Sequence, residues 1–288
     1  RHRGAPRTRG RALQHQRHDD RRAHPAPPRS LPEGQRLPQH DVFLIFMVAV
    51  FPDRGYSEMK RSTFFLALFL AAALADLLIT WTHWPSLELI AKPMIMVALI
   101  GFYFSSVSRR NMTFVWALFF CWAGDVLLMF QPLAEDFFLA GLSAFFIGQI
   151  LYVAAFREMR VASKGSELSM PQKIRFSLPV ILAGTGLVAI LFPKLGALKI
   201  PVMTYSVALI VMVLSAIFRH GQTSSRSYLL ILCGAILFMI SDSTLALNKF
   251  YSPIPLSGLW IMSTYIAAQY LIVQGAVEHA KKIKGPGP

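Results

Sequence analysis

From Met59 to Lys284 the chain is a succession of long apolar runs separated by short polar or Pro- and Gly-bearing breaks. A hydrocarbon core of ~30 Å takes about 20 apolar residues per helix. The pattern predicts eight spans of that kind, over residues 63–82, 86–104, 111–130, 136–156, 176–192, 201–218, 228–247 and 257–278. None of the runs alternates with the ten-residue rhythm of a barrel strand, and helices and closed barrels are the ways a backbone satisfies itself in lipid. The expected fold is therefore all-α, a polytopic membrane helical bundle.

Lys and Arg sharpen this picture. Counted on alternate sides of the eight spans, 14 fall on one side, from Lys60 and Arg61 to Lys284, and three on the other, Lys194, Lys199 and Lys249. The positive-inside rule then predicts both termini in the cytoplasm, in a multi-pass protein of a bacterial inner membrane. Composition agrees, since 54% of residues are hydrophobic and 15% charged, against about 25% charged in an ordinary soluble domain. The net charge of +14 arises from short runs between spans rather than from a folded basic domain, so the expected partner is the lipid bilayer and not nucleic acid.

Residues 1–58 are of another kind. They hold 11 Arg, no Lys, five of the eight His and seven Pro, whereas residues from Met59 onward carry ten Lys and eight Arg. The apolar run from Val42 to Phe51 is too short to span a bilayer. Residues 1–58 are expected to be a disordered extension, and Met59, with its basic cap before a first span, the biological start of the membrane domain 59–288.

An internal correspondence runs through the spans. Asp125 lies late in the third and Asp242 late in the seventh, and each is followed by a glycine 16 residues on, Gly141 and Gly258. Four helices per half would make this a parallel repeat.

Charges within spans are costly and mark candidate sites. They are Asp76, Glu88, Lys92, Asp125 and Asp242. At 1.5 Å per residue, Asp125 and Asp242 each lie ~21 Å along helices that start in the cytoplasm, and Lys92 lies ~9 Å from the outer end of its own. All three levels meet in the outer third of the bilayer, with Asp76 nearby. Two carboxylates in low dielectric resist ionising together, so one acid and one carboxylate would coexist, the equipment of acid–base hydrolysis. The competing reading of Asp125 and Lys92 is a structural ion pair between helices.

Asn248, Tyr152, Tyr205, Tyr265, Gln149 and Gln269 are suited either to orienting a polar head group or to stitching helices by hydrogen bonds. The two cysteines, Cys121 and Cys233, have no metal or disulfide spacing, and His83, His220 and His279 have no ligand spacing. No metal and no cofactor is expected. There is no GxSxG, HExxH or GK[ST] motif.

Several ordered blocks are similar to a known family. They are Lys92 and Pro93; Gly124 and Asp125 followed by Val126, Leu127 and Leu128; Phe138 through Gly141 to Phe145, Phe146, Gly148, Gln149 and Tyr152; Gly234 to Ser241, Asp242, Asn248 and Phe250; and Tyr265 to Gln269. Together they resemble the YhhN family of integral membrane proteins, over essentially Met59 to Ala280. The family's fourth span usually carries His where this chain has Gln149, which puts a proton-shuttling role at that position in doubt.

Animal members of that family are lysoplasmalogenases. The resemblance implies hydrolysis of the vinyl ether bond of a lysophospholipid substrate, a lysoplasmalogen, to a fatty aldehyde and glycerophosphoethanolamine or glycerophosphocholine. It implies Asp125 and Asp242 as the catalytic pair, one acid and one carboxylate, their order open. Lys92, Asn248, Tyr265 and Gln269 would bind the substrate head group, and Asp76 and Tyr152 would support them from behind. Two other classes fit the intramembrane charges: a proton-coupled transporter of a small solute, and a scaffold in which they specify packing.

Overall fold

A computed structural model of the chain describes residues 55–82, 85–161 and 167–283, with side chains from Lys60. The first 54 residues, most of the segment expected to be disordered, lie outside the described residues. Among the described residues there are eight α-helices: α1 (Gly55–Thr82), α2 (Pro85–Ser106), α3 (Met112–Met129), α4 (Asp136–Glu158), α5 (Met170–Leu191), α6 (Lys199–Ile217), α7 (Ser225–Phe250) and α8 (Ser257–Ile283). Two single turns of 3-10 helix, Phe192–Lys194 and Gly196–Leu198, join α5 to α6. No strand occurs among the described residues. The protein is a polytopic membrane helical bundle.

The expected spans match these helices closely, because bilayer thickness dictates apolar length while caps and loops decide only the ends. α1 reaches back to Gly55, before Met59. The first seven helices carry stretches long and apolar enough to cross a membrane. α8 is the exception in composition, although its 27 residues give it ample length. Tyr265 and Gln269, two of the residues that lower its apolarity, are turned inward and buried.

Consecutive helices form three close hairpins, α1 with α2, α3 with α4 and α7 with α8. α6 packs on α4, α5 and α7, and α8 also touches α1 and α2. Small residues allow the close approaches that lipid, lacking a hydrophobic drive between helices, makes decisive. A Cβ on Gly234 of α7 would stand 2.8 Å from the carbonyl oxygen of Ala268 in α8, and one on Gly148 of α4 3.1 Å from Cys121 Sγ in α3.

The ends are fixed by ordinary capping. Asn111 Oδ1 accepts from Phe114 N at 2.8 Å to start α3, and Ser224 Oγ accepts from Ser227 N to start α7. Ser169 and Gln172 form a capping box on α5. α5 exposes Ile174, Phe176, Leu178, Leu182 and Ile190, the apolar outer face expected where a helix meets lipid.

Candidate active site

The interior between the α3–α4 and α7–α8 hairpins holds a continuous polar chain. Tyr152 Oη of α4 donates to Gln269 Oε1 of α8 at 2.6 Å, Gln269 Nε2 donates to Tyr265 Oη at 3.2 Å, and Tyr265 Oη donates to Asp125 Oδ2 of α3 at 2.7 Å. All four residues are buried. In a dry interior every one of these donors would be costly to leave unpaired, and each has its acceptor. The chain runs one way, and Asp125 is its final acceptor.

Asp242 of α7 has different surroundings. Its Oδ2 accepts from Tyr205 Oη of α6 in a short hydrogen bond and from Gln149 Nε2 of α4 at 3.4 Å. Gln149 is fully buried and its Oε1 has no partner. Asp242 is half-buried and borders a small cavity of about 50 Å³, partly open to the outside. The rest of that lining is almost wholly apolar and includes Leu128, Phe138, Leu187, Leu209 and Phe250.

The two carboxylates lie within electrostatic range of one another, with the buried Cys121 within range of both. The partners cross over between hairpins: α8 supplies the donor for Asp125 of α3, and α4 supplies one for Asp242 of α7. Tyr152 and Gln269, which bond each other, each lie 27 residues beyond the Asp of their own hairpin.

Lys92 Nζ sits 2.6 Å from Glu88 Oε1, one turn earlier on α2. The inter-helix pair weighed for Lys92 is thus replaced by a local one, although Lys92 remains within range of Asp125. Asp76 of α1 is fully buried with no hydrogen-bond partner on either oxygen, and lies within electrostatic range of Lys92, Glu88 and Asp125. Asn248 stands apart from this cluster's bonds: its Oδ1 accepts from Ile254 N at 2.9 Å and braces the α7–α8 turn.

Two partners of Asp242 are not legible as such in the sequence. Tyr205 and Gln149 are polar residues within spans, and nothing in their spacing ties them to Asp242. Glu88 did carry a signal, the four-residue spacing to Lys92 that places both on one helix face. Among the described residues no group of three or more His, Cys, Asp or Glu is arranged to hold a metal ion.

Comparison with known proteins adds a family. A sequence model described as the YhhN family matches residues 87–276. The chain is 34% identical over 178 residues to the lysoplasmalogenase TMEM86A of Bos taurus, covering 58% of this chain and 66% of that protein. The human lysoplasmalogenase TMEM86A gives 34% over 179 residues with the same coverage, and the lysoplasmalogenase TMEM86B of Sus scrofa 33% over 162 residues, covering 56% and 61%. The matched region thus falls just short of two thirds of these relatives' own length. No solved structure matches the chain.

Proposed function

The chain belongs to the YhhN family, and from that premise we propose that it is a lysoplasmalogenase-like hydrolase cleaving the vinyl ether bond of a lysoplasmalogen. The observation that carries the reading is the position of Asp242. It is a carboxyl group in the wall of a small, apolar-lined cavity that opens outward, backed within electrostatic range by a second carboxylate.

In this reading the alkenyl chain occupies the cavity, reaching it sideways between helices, and the vinyl ether lies against Asp242. Protonation of the β carbon by the acid turns the ether into an oxocarbenium ion. Water adds to the α carbon and loses a proton, giving a hemiacetal. Its collapse passes a proton to the glyceryl oxygen and releases a fatty aldehyde and the glycerophospho head group.

Asp242 is assigned the acid. Both of its hydrogen bonds fall on Oδ2, which leaves Oδ1 for the transferable proton. The orphaned Oε1 of Gln149 supports this, since rotating that amide would offer an acceptor to a protonated Asp242. Asp125, held at the end of a chain of donors, is assigned the carboxylate that stabilises the cation and directs water. Lys92, paired with Glu88, is assigned to the substrate phosphate, and Glu88 to a head-group ammonium. Tyr265 and Gln269 shape the polar end, and Asp76 and Tyr152 support it.

The Lys and Arg asymmetry supports cytoplasmic termini, with the carboxylates toward the outer leaflet of a bacterial inner membrane. The test is aldehyde release from a 1-alkenyl lysophospholipid by the detergent-purified protein, beside folded Asp125→Asn and Asp242→Asn variants. Release without any transmembrane gradient, lost in both variants, is expected. A folded protein that releases no aldehyde across lysolipid head groups overturns the reading.

A further inference from the structure

The cavity beside Asp242 is too small for the chain of a lipid. Its volume is about 50 Å³, whereas pockets that enclose a drug-sized ligand run to roughly 300–1,000 Å³, and a long alkenyl chain needs space of that order. A wall must move before such a chain can lie against the carboxyl group. α4, α6 and α7 are poor candidates, since Gln149 of α4 and Tyr205 of α6 both bond Asp242 of α7 and hold the three together. To the same lining α5 gives only apolar side chains, Leu187 and Leu191.

α5 is also the most weakly seated of the walls. Its buried residues are Ser177, Gly184 and Leu191, one in every seven, where a helix packed by a broad face turns about three or four inward over two turns. It packs on α6 and touches α7 only lightly. Leu187 and Leu191 lie between two soft points of the backbone. Before them, Thr185 Oγ1 donates back to the Ile181 carbonyl at 2.7 Å, a bond that bends and loosens a helix, and a Cβ on the next residue, Gly186, would meet nothing within 4 Å. After them come the two 3-10 turns, with Gly196 at φ +52°. Across the seam runs one exposed polar tie: Lys194 Nζ, in the first of those turns, donates to the Tyr251 carbonyl at the end of α7 at 3.0 Å and lies 4.3 Å from the centre of the Tyr251 ring.

We propose that the seam between α5 and α7 is a lipid portal, in which the Leu187–Leu191 segment swings outward to admit a single-chain lipid from the membrane and Lys194 latches it shut. Parting apolar surfaces costs little in hydrocarbon, because lipid tails replace the side chains that separate. The motion follows from the cavity and its walls; the identity of the lipid rests on the hydrolase reading. The portal fixes the approach of the substrate to Asp242 as lateral, past α5, rather than from the water at the end of the bundle.

The experiment uses the full chain in lipid nanodiscs, with the exposed Cys233 changed to Ala. Leu187→Cys and Ala246→Cys, at two positions of the cavity lining on α5 and α7, are joined by a short bis-methanethiosulfonate linker that reduction removes. Two readouts are followed: labelling by a 1-O-alkyl lysophospholipid with a diazirine on its chain, which has no vinyl ether to cleave, and aldehyde release from the 1-alkenyl lipid. The unlinked protein should be labelled on α5 and α7, the linked protein at least about 10-fold less, and reduction should restore labelling. Gly186→Ala stiffens α5 without meeting a neighbour and should slow labelling by about two- to fivefold, lowering kcat/KM while sparing kcat. Lys194→Gln removes the latch and should speed labelling by about two- to fivefold. These single variants decide the matter if the cysteine pair does not fold. Absence of labelling in the unlinked protein, or labelling indifferent to the linker and to both variants, overturns the portal. Linker-sensitive labelling without aldehyde release leaves the portal standing and overturns only the hydrolase reading.

Discussion

The α3–α4 and α7–α8 hairpins each carry one aspartate deep in the bundle, yet they treat it in opposite ways. Asp125 ends a one-way chain of buried donors, with nothing but protein around it. Asp242 meets a hydroxyl and an amide on one oxygen and an apolar cavity beyond. Chemically identical side chains at matched depth can therefore be given different work by their surroundings alone. A carboxylate locked by donors is suited to holding charge, and one that borders an open cavity is suited to exchanging a proton with whatever fills it.

Neutralising the two groups should give the largest effects, and unequal ones. Asp242→Asn removes the proton donor and is expected to lower kcat for aldehyde release by about 10³- to 10⁴-fold. Asp125→Asn removes charge stabilisation but leaves the donor, with an expected loss of about 10²- to 10³-fold. Single-turnover measurements on folded variants check this. A larger loss at Asp125 than at Asp242 would reverse the assignment of acid and carboxylate.

The hydroxyls give the next contrast. Tyr265→Phe leaves Asp125 Oδ2 and the Gln269 amide without partners in a buried place, whereas Tyr205→Phe leaves Asp242 with Gln149. At about 1–3 kcal/mol for an orphaned buried polar group, the first change should cost roughly 10- to 100-fold in kcat and also lower thermal stability. The second should cost less in stability, because cavity-facing groups have access to a ligand or solvent.

What sequence made legible follows the same physical divide. The helices are readable because apolar length is imposed by the bilayer, and Asp125 and Asp242 stand out because a charge in an apolar run is an outlier. Their partners do not stand out. Tyr265 is 140 residues from Asp125, and a tyrosine in a span is equally at home in a core, so only packing reveals which hydroxyl meets which carboxylate. Asn248 illustrates the converse, since a polar residue near a span end gives no sign in the sequence that its Oδ1 ties a turn through Ile254 N. Lys92 with Glu88 lay within reach of sequence reasoning, being a four-residue helical pair.

Glycine contacts compare the hairpins as packing units. A methyl on Gly234 would meet the Ala268 carbonyl at 2.8 Å, a backbone atom that cannot yield, so Gly234→Ala should spread α7 from α8 and cost about 1–3 kcal/mol. On Gly148 the nearest atom is Cys121 Sγ at 3.1 Å, with the Ala117 carbonyl at 3.3 Å, and Gly148→Ala should cost less. Gly186 of α5 has nothing within 4 Å, and Gly186→Ala should be neutral or stabilising by up to about 1 kcal/mol. Thermal unfolding in detergent ranks the three.

The smallest expected effect bears on Gln149. Its amide reaches Asp242 Oδ2 at 3.4 Å with Nε2 and leaves Oε1 idle. The residue serves the cavity-facing carboxyl as a donor, or after rotation as an acceptor, but holds no proton of its own to pass on. Gln149→His supplies the same donor and acceptor capacity in a ring of similar reach, so kcat is expected to stay within about threefold of wild type. Gln149→Leu removes both capacities and isolates Tyr205 as the remaining partner of Asp242, with an expected loss of about 10-fold. If His raises activity by an order of magnitude instead, proton relay through position 149 limits the reaction, and Asp242 does not act alone at its end of the pair.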